Sequence, residues 1–334
     1  MPSGIFIGIS TIDVVYRVDT FPAANTKIAA NSQEIFAGGP ATNAAIAFQH
    51  LGGHATLISA LGRHALTSAV TAELAQYNVT HRDLAPTHDA APLIAAITVI
   101  AKPELPHLEA TELQSTRPAG SGDPPQHRIG QVNSGFCSNA AGERNVISAW
   151  PSRITPPPAQ PATTNIDESL LADVSIVLVD GHSMQAAQAW AAAAHAHAIP
   201  VVLDAGSWKP GTPELLAHID TAICSADFHP PDCFTEDDVI LYLRDSGVPR
   251  IAITHGPDPI RFIEAESSDS NQATGQIPVP PIHAVDTMGA GDIFHGAYCY
   301  FAAKGLSFQQ SLHEAAAVAA ASCTHPGPRA WMNR

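Results

Sequence analysis

Lysine is scarce in this chain: only Lys27, Lys102, Lys209 and Lys304 occur among 334 residues. Acidic residues outnumber basic ones 31 to 16, giving a formal net charge of −15. Such a surface repels nucleic acid and anionic lipid, so neither is expected as a main partner. Cysteine is sparse too. Cys137, Cys224, Cys233, Cys299 and Cys323 are scattered and never form a CxxC pair. That argues against a disulfide framework and a cysteine zinc site, and it fits a reducing cytoplasm. The 17 histidines form no HExxH pattern, and His195 and His197, two apart, fall on different faces of a helix. No segment approaches the ~20 apolar residues of a membrane span. The apolar run at 4–9 is short and lacks the basic flank of a signal peptide. Neither GxxxxGK[ST] nor a clean GxGxxG is found, so two common phosphate-cradling loops have no support.

What is present suits a folded α/β protein. Hydrophobic residues make up 45% of the chain, and its length allows one large domain or two modest ones. Apolar runs at 4–10, 55–60, 92–101 and 145–150 predict strands, and 14–36 has the mixture of short strands and turns. Helix formers at 41–51, ended by Gly52-Gly53, and at 68–77 predict helices. Strand 175–180, helix 184–197 and strand 200–204 make one βαβ unit. Strand 221–225, helix 237–246 and strand 250–254 make a second, and helices at 291–304 and 307–322 close the chain. This alternation predicts a mainly parallel sheet covered by helices. Three stretches read as loops: 102–142, which is rich in Pro, Gly, Ser, Gln and Asn, the proline-rich 155–166, and the polar 264–277.

The strongest local signal is Asp286-Thr287-Met288-Gly289-Ala290-Gly291-Asp292 at the entry to a helix. Small residues let a ligand approach the peptide groups. Free N–H groups of Gly289, Ala290 and Gly291, with the positive end of the helix, make an anion site. Asp292 in that position serves either as a helix cap or as a base. Phosphoryl transfer needs donors around the equatorial oxygens and a carboxylate that takes the proton of the attacking hydroxyl. One turn of chain supplies both. A second constellation, Asp13 with Gly38-Gly39-Pro40-Ala41-Thr42-Asn43 before a helix, suits polyol hydroxyls, or else is an ordinary turn with a solvated aspartate.

Taken together, the two glycine motifs resemble the ribokinase-like (PfkB) family of carbohydrate kinases. The resemblance runs from 8–13 through 38–43, 203–207 and 254–256 to 286–296. It implies an α/β fold: a ribokinase-like αβα sandwich with a mainly parallel central sheet and a small β-lid. Residues 1–334 would form a single kinase domain, its lid drawn from parts of 11–37 and 91–150, with a flexible insertion at 102–142. The resemblance further implies ATP as phosphoryl donor, with Asp292 as base and Gly289, Ala290 and Gly291 as the anion hole. Asp13, Gly38, Gly39 and Asn43 match the sugar-holding positions, and Thr254, Gly256, Cys323 and Gly327 match the nucleotide side. Mg²⁺ would travel with the nucleotide, and Asp286 matches a backbone position associated with K⁺.

The motifs around Leu203–Lys209 and Gly142–Arg144 look like the branch near ketohexokinase and sulfofructose kinase. There Lys27 and Arg144 would meet an anionic group on the sugar, although Lys27 equally suits a solvated surface lysine. The segment Ser225-Ala226-Asp227-Phe228 departs from the Asn-Glu-x-Glu pattern that orients metal-bound water. Two other readings stay open: a nucleoside kinase of the same fold, and a sugar- or nucleotide-sensing protein without transfer. A homodimer is implied by resemblance only.

Overall fold

The computed structural model describes residues 1–100, 144–148, 166–265 and 272–333. The expected insertion at 102–142 lies outside them, as does all but the last residue of the expected loop at 155–166. Two sheets organise the chain. The large one contains β1 (Ser3–Ile7), β4 (His54–Ser59), β5 (Thr80–Asp83), β8 (Ile176–Val179), β9 (Val201–Ala205), β10 (Thr221–Ser225), β11 (Arg250–His255), β12 (Asp258–Ala265) and β13 (Gln272–Ile277), in the order 13-12-11-10-9-8-1-4-5. All pairs from β5 to β11 are parallel, and β12–β13 is added antiparallel at the edge. The small sheet contains β2 (Thr11–Val18), β3 (Ser32–Gly38), β6 (Leu93–Ile100) and β7 (Arg144–Ser148), in the order 3-2-6-7.

The period of two along a strand divides the core. Phe6 of β1 faces α1 (Pro40–His50), α2 (Thr67–Gln76), α6 (Ala290–Ala303) and α7 (Phe308–Ser322). Ile5 and Ile7 face α3 (Met184–Ala196), α4 (Thr212–Leu216) and α5 (Glu236–Asp245). Helices thus cover both faces of a parallel sheet, the expected αβα arrangement. β8 is buried at every position, as a strand covered on both sides must be. Among the described residues no helix is long and apolar enough to cross a membrane.

One expectation fails in part. Of the expected loop at 264–277, residues 264–265 end β12 and 272–277 form β13, while 266–271 lie outside the described residues. As an edge strand β13 exposes Thr274 and Gln276, and that polarity hid it. The short polar strand β5 (THRD) escaped notice for the same reason.

The small sheet has its own core of Val15, Ala95, Ile97 and Val99, with Phe36 packed against it. That core also includes Met288, from the loop that enters α6. The inner face of the small sheet therefore rests on the glycine motif. Its opposite face exposes Tyr16, Ile35, Ile94 and Ile147.

Candidate active site

Strand order in the large sheet reverses between β1 and β8. In open α/β sheets, ligands bind in the crevice outside the carboxyl ends of the strands at such a point. Asp180 follows β8 there. Its carboxylate accepts from the N–H groups of Ile9 at 2.9 Å, His182 at 2.9 Å and Ala41 at 3.3 Å. A Cβ on Gly8 would lie 2.0 Å from Asp180 Oδ2, so only glycine lets β1 pass the carboxylate. Asp180 thereby fixes the entry of α1 to the floor of the crevice.

Strand β2 crosses above this floor, and its alternate residues point inward. Asp13 is buried, 9% exposed, and accepts from the Thr11 hydroxyl at 2.6 Å. Burial pushes its carboxyl up to about 6, with the Thr11 hydrogen bond opposing and the Asp292 charge adding to the rise. A Cβ on Gly38 would lie 2.0 Å from Asp13 Oδ2, and one on Gly39 would lie 2.3 Å from the Ile9 carbonyl. Gly39 also has φ 99°, so both glycines are required by space, and the second by conformation too. The end of β3 is clamped beside them. Arg329 Nε bonds Glu73 at 2.7 Å, Arg329 Nη2 reaches the Ala37 carbonyl at 2.6 Å, and Glu73 accepts from the Ala37 N–H at 2.6 Å.

Gly289 precedes α6 in the left-handed region, φ 72°, and no side chain caps the helix. The N-cap position thus falls on Gly289, and Asp292 stands within the first turn. Its Oδ2 accepts from the Asn43 amide at 2.7 Å. A Cβ on Gly289 would come 3.6 Å from Asn43 Nδ2, while one on Gly291 would meet nothing within 4 Å. The loop thus abuts Asn43 on one side and open space on the other. Helices α1 and α6 meet at Gly296, where a Cβ would lie 2.2 Å from the Ala44 carbonyl. This contact sets the approach of Asn43 to Asp292.

Several polar residues that sequence reasoning had not placed in the site join it. Asp204 in β9 is buried, with Oδ2 lacking a hydrogen bond, and burial pushes its carboxyl up to about 6. His295 Nδ1 stands 3.5 Å from that oxygen. Lys209 sits between the charges of Asp180 and Asp204, donates to the Ser207 carbonyl at 3.1 Å, and has its pKa lowered by burial. The available signal was position: an acid at the carboxyl end of a parallel strand, and a lysine in a chain with four.

The structure thus brings Asp13, Gly38, Gly39, Asn43, Gly289 and Asp292 to one crevice, with Ala290 and Gly291 opening α6. Lys27 stands exposed in the loop between β2 and β3. The side chain of Arg144 lies outside the described residues. Thr254 lies one residue before the end of β11, with its hydroxyl on the Cys224 carbonyl at 3.2 Å, and Gly256 follows the strand at φ 63°. The Cys323 carbonyl accepts the N–H groups of Val285 and Asp286, and the Gly327 N–H donates to Asp286 Oδ2 at 2.8 Å. These last two brace the loop that leads into α6. In the segment 225–228, Asp227 is exposed and Phe228 is buried against Trp208.

Residues 1–105 and 126–333 match the family described as pfkB family carbohydrate kinase. Among solved structures, a ribokinase from Giardia lamblia is similar at 15% identity and TM-score 0.70, covering 100% of this chain and 97% of that one. A ribokinase from Thermotoga maritima is 16% identical with TM-score 0.68, covering 99% and 95%. The Arabidopsis thaliana ribokinase complexed with ribose and ATP is 18% identical with TM-score 0.67, covering 98% and 93%. At these identities the likeness is one of fold.

Proposed function

Since the chain belongs to the pfkB family of carbohydrate kinases, we propose that it phosphorylates a primary hydroxyl of a ketose or related sugar from ATP, with Asp292 as base. The observation that carries this reading is the 2.7 Å hydrogen bond from Asn43 to Asp292. It joins the polyol constellation to the glycine motif in one crevice.

Asp13, Asn43 and the backbone of Gly38 and Gly39 hold the sugar so that one hydroxyl faces Asp292. That oxygen attacks the γ-phosphorus, its proton passes to the Asp292 carboxylate, and the bond to the β-phosphate oxygen breaks to release ADP. The N–H groups of Gly289, Ala290 and Gly291 receive the equatorial oxygens, where charge accumulates. Holding the hydroxyl in line supplies up to ~7–11 kcal/mol of the barrier reduction. The small sheet, acting as the lid of a single domain, excludes water, and Thr254, Gly256, Cys323 and Gly327 border the nucleotide. Lys27 and Arg144 are retained as contacts for an anionic substituent on the sugar.

Among the described residues no group of three or more His, Cys, Asp or Glu side chains converges to hold a metal ion. Mg²⁺ would be carried by the phosphates and held through water, where it would offset phosphate charge. Exposed Asp227 is the acid within the segment 225–228, where the residues that orient such water were expected. The monovalent cation was expected at the backbone of Asp286, and the carboxylate of the same residue already has a cationic partner in Arg17 at 2.8 Å.

The test is ADP release from Mg-ATP across fructose, ribose, 2-keto-3-deoxygluconate, sulfofructose and adenosine. A strong response to one sugar is expected. A response to adenosine alone would establish the nucleoside kinase reading instead. Nucleotide and sugar binding without ADP formation would establish a sensor.

A further inference from the structure

Asp286 is the one charged side chain between Val285 and Gly291, and it stands at the start of the loop that forms the anion site. Its side chain is 1% exposed. Three donors converge on the two oxygens: Arg17 Nη1 at 2.8 Å and the Gly327 N–H at 2.8 Å on Oδ2, and the Met288 N–H at 2.9 Å on Oδ1. The carboxylate is thus neutralised from within the chain.

Arg17 is not a chance surface partner. It follows Asp13 and Val15 on the inward face of β2, is 12% exposed, and is oriented by Glu34 of β3 through Nε at 2.8 Å. Its remaining nitrogen, Nη2, is buried with no hydrogen-bond partner among the described residues. A Cβ on Gly327 would come within 3.4 Å of that nitrogen, so the guanidinium fills the space between the lid strand and the 325–327 turn. A guanidinium is always charged and planar, which suits a buried carboxylate better than a hydrated ion would. A potassium ion brought to this carboxylate would meet the fixed positive charge of Arg17 and two N–H groups that already occupy its oxygens.

We propose that Arg17 takes the place of a monovalent cation at the Asp286 loop, so that nucleotide binding in this chain is independent of potassium. The role of Asp286 is then to receive a charge delivered by the lid strand. The consequence for nucleotide rests on reading 289–291 as the anion hole; the pairing of Arg17 with Asp286 does not.

The experiment compares KCl with tetramethylammonium chloride at equal ionic strength. Two quantities are read: the thermal unfolding midpoint of the free protein and the Kd for Mg-ADP by calorimetry. Wild type should give the same midpoint and Kd in both salts. Arg17→Met should bind Mg-ADP at least about tenfold more weakly in tetramethylammonium and recover part of that loss in potassium. Arg17→Lys, which keeps the charge, should stay insensitive to the choice of salt. Tightening of wild-type Mg-ADP binding by potassium, or a midpoint raised by potassium alone, would overturn the proposal. So would unchanged binding by a folded Arg17→Met. If Mg-ADP binds in neither salt, the kinase reading has failed, and the wild-type midpoints still decide the cation question.

Discussion

The side-chain amide of Asn43, on α1, donates to the carboxylate of Asp292, on α6, across 2.7 Å and 249 residues of sequence. It holds one carboxylate oxygen and turns the group toward the crevice. Asp292→Asn should fold, bind Mg-ADP normally and lose roughly 10²–10⁴-fold in kcat, the usual weight of a general base. Asn43→Ala should lower kcat less and raise the KM for sugar, because it removes a contact and an orienting bond together. Steady-state kinetics on both variants checks this. Wild-type turnover by Asp292→Asn would remove the base assignment.

Asp13 links pH to stability and, on the proposed reading, to sugar affinity as well. Its folded carboxyl titrates at about 6 against an ordinary 3.8. A raised folded pKa contributes stability in full below the unfolded value and loses it as pH climbs through about 6. At neutral pH the ionised group therefore costs up to about 3 kcal/mol. Asp13→Asn should unfold at a higher temperature than wild type at pH 7.5, with the advantage shrinking toward pH 4. The same variant should bind sugar poorly and flatten the rise of kcat/KM between pH 5 and 7. Asp204 shares the pH window, so a rise that persists in Asp13→Asn points to Asp204.

Gly296→Ala tests the helix contact beneath the site. The added Cβ would lie 2.2 Å from the Ala44 carbonyl, which is backbone and must move as a unit. Overpacking of this kind costs typically 1–3 kcal/mol. Because Ala44 adjoins Asn43, kcat should fall along with the unfolding midpoint. A lowered midpoint with unchanged kcat would show that the Asn43–Asp292 geometry tolerates the shift.

Much of this was legible in the sequence, for physical reasons. Buried parallel strands such as IVLV leave no polar alternative, and the two βαβ units follow from them. The glycine motif announces an anion site because few other structures need that spacing. Strand β13 was not legible, since its residues 272–276 are small or polar and carry no hydrophobic alternation. Arg17 was hidden differently: nothing local marks a partner 269 residues away. Asp180, Asp204 and the Glu73–Arg329 clamp were equally silent until strand order placed them.

The outer face of the small sheet offers a separate test. Tyr16, Ile35, Ile94 and Ile147 are exposed there, Ile147 at 76%, and a second copy of the chain would cover them. Light scattering after size-exclusion chromatography should report a dimer for the wild type. A double Ile35→Glu, Ile147→Glu variant should be monomeric. A monomeric wild type would leave this face without a self-partner.

Strand β2 places Asp13, Val15 and Arg17 on one face, where they meet the sugar crevice, the Met288 core and Asp286 in turn. Three contacts with separate purposes therefore share a single register. Removing Ile12 would turn all three outward together, and removing Val14 or Tyr16 would split them between the two faces, because neighbouring strand residues face opposite sides. Deleting one residue from the exposed loop at 20–30 would leave the register intact. Insertions and deletions in this lineage should collect in that loop and stop abruptly at the strand, even where single substitutions within the strand are accepted.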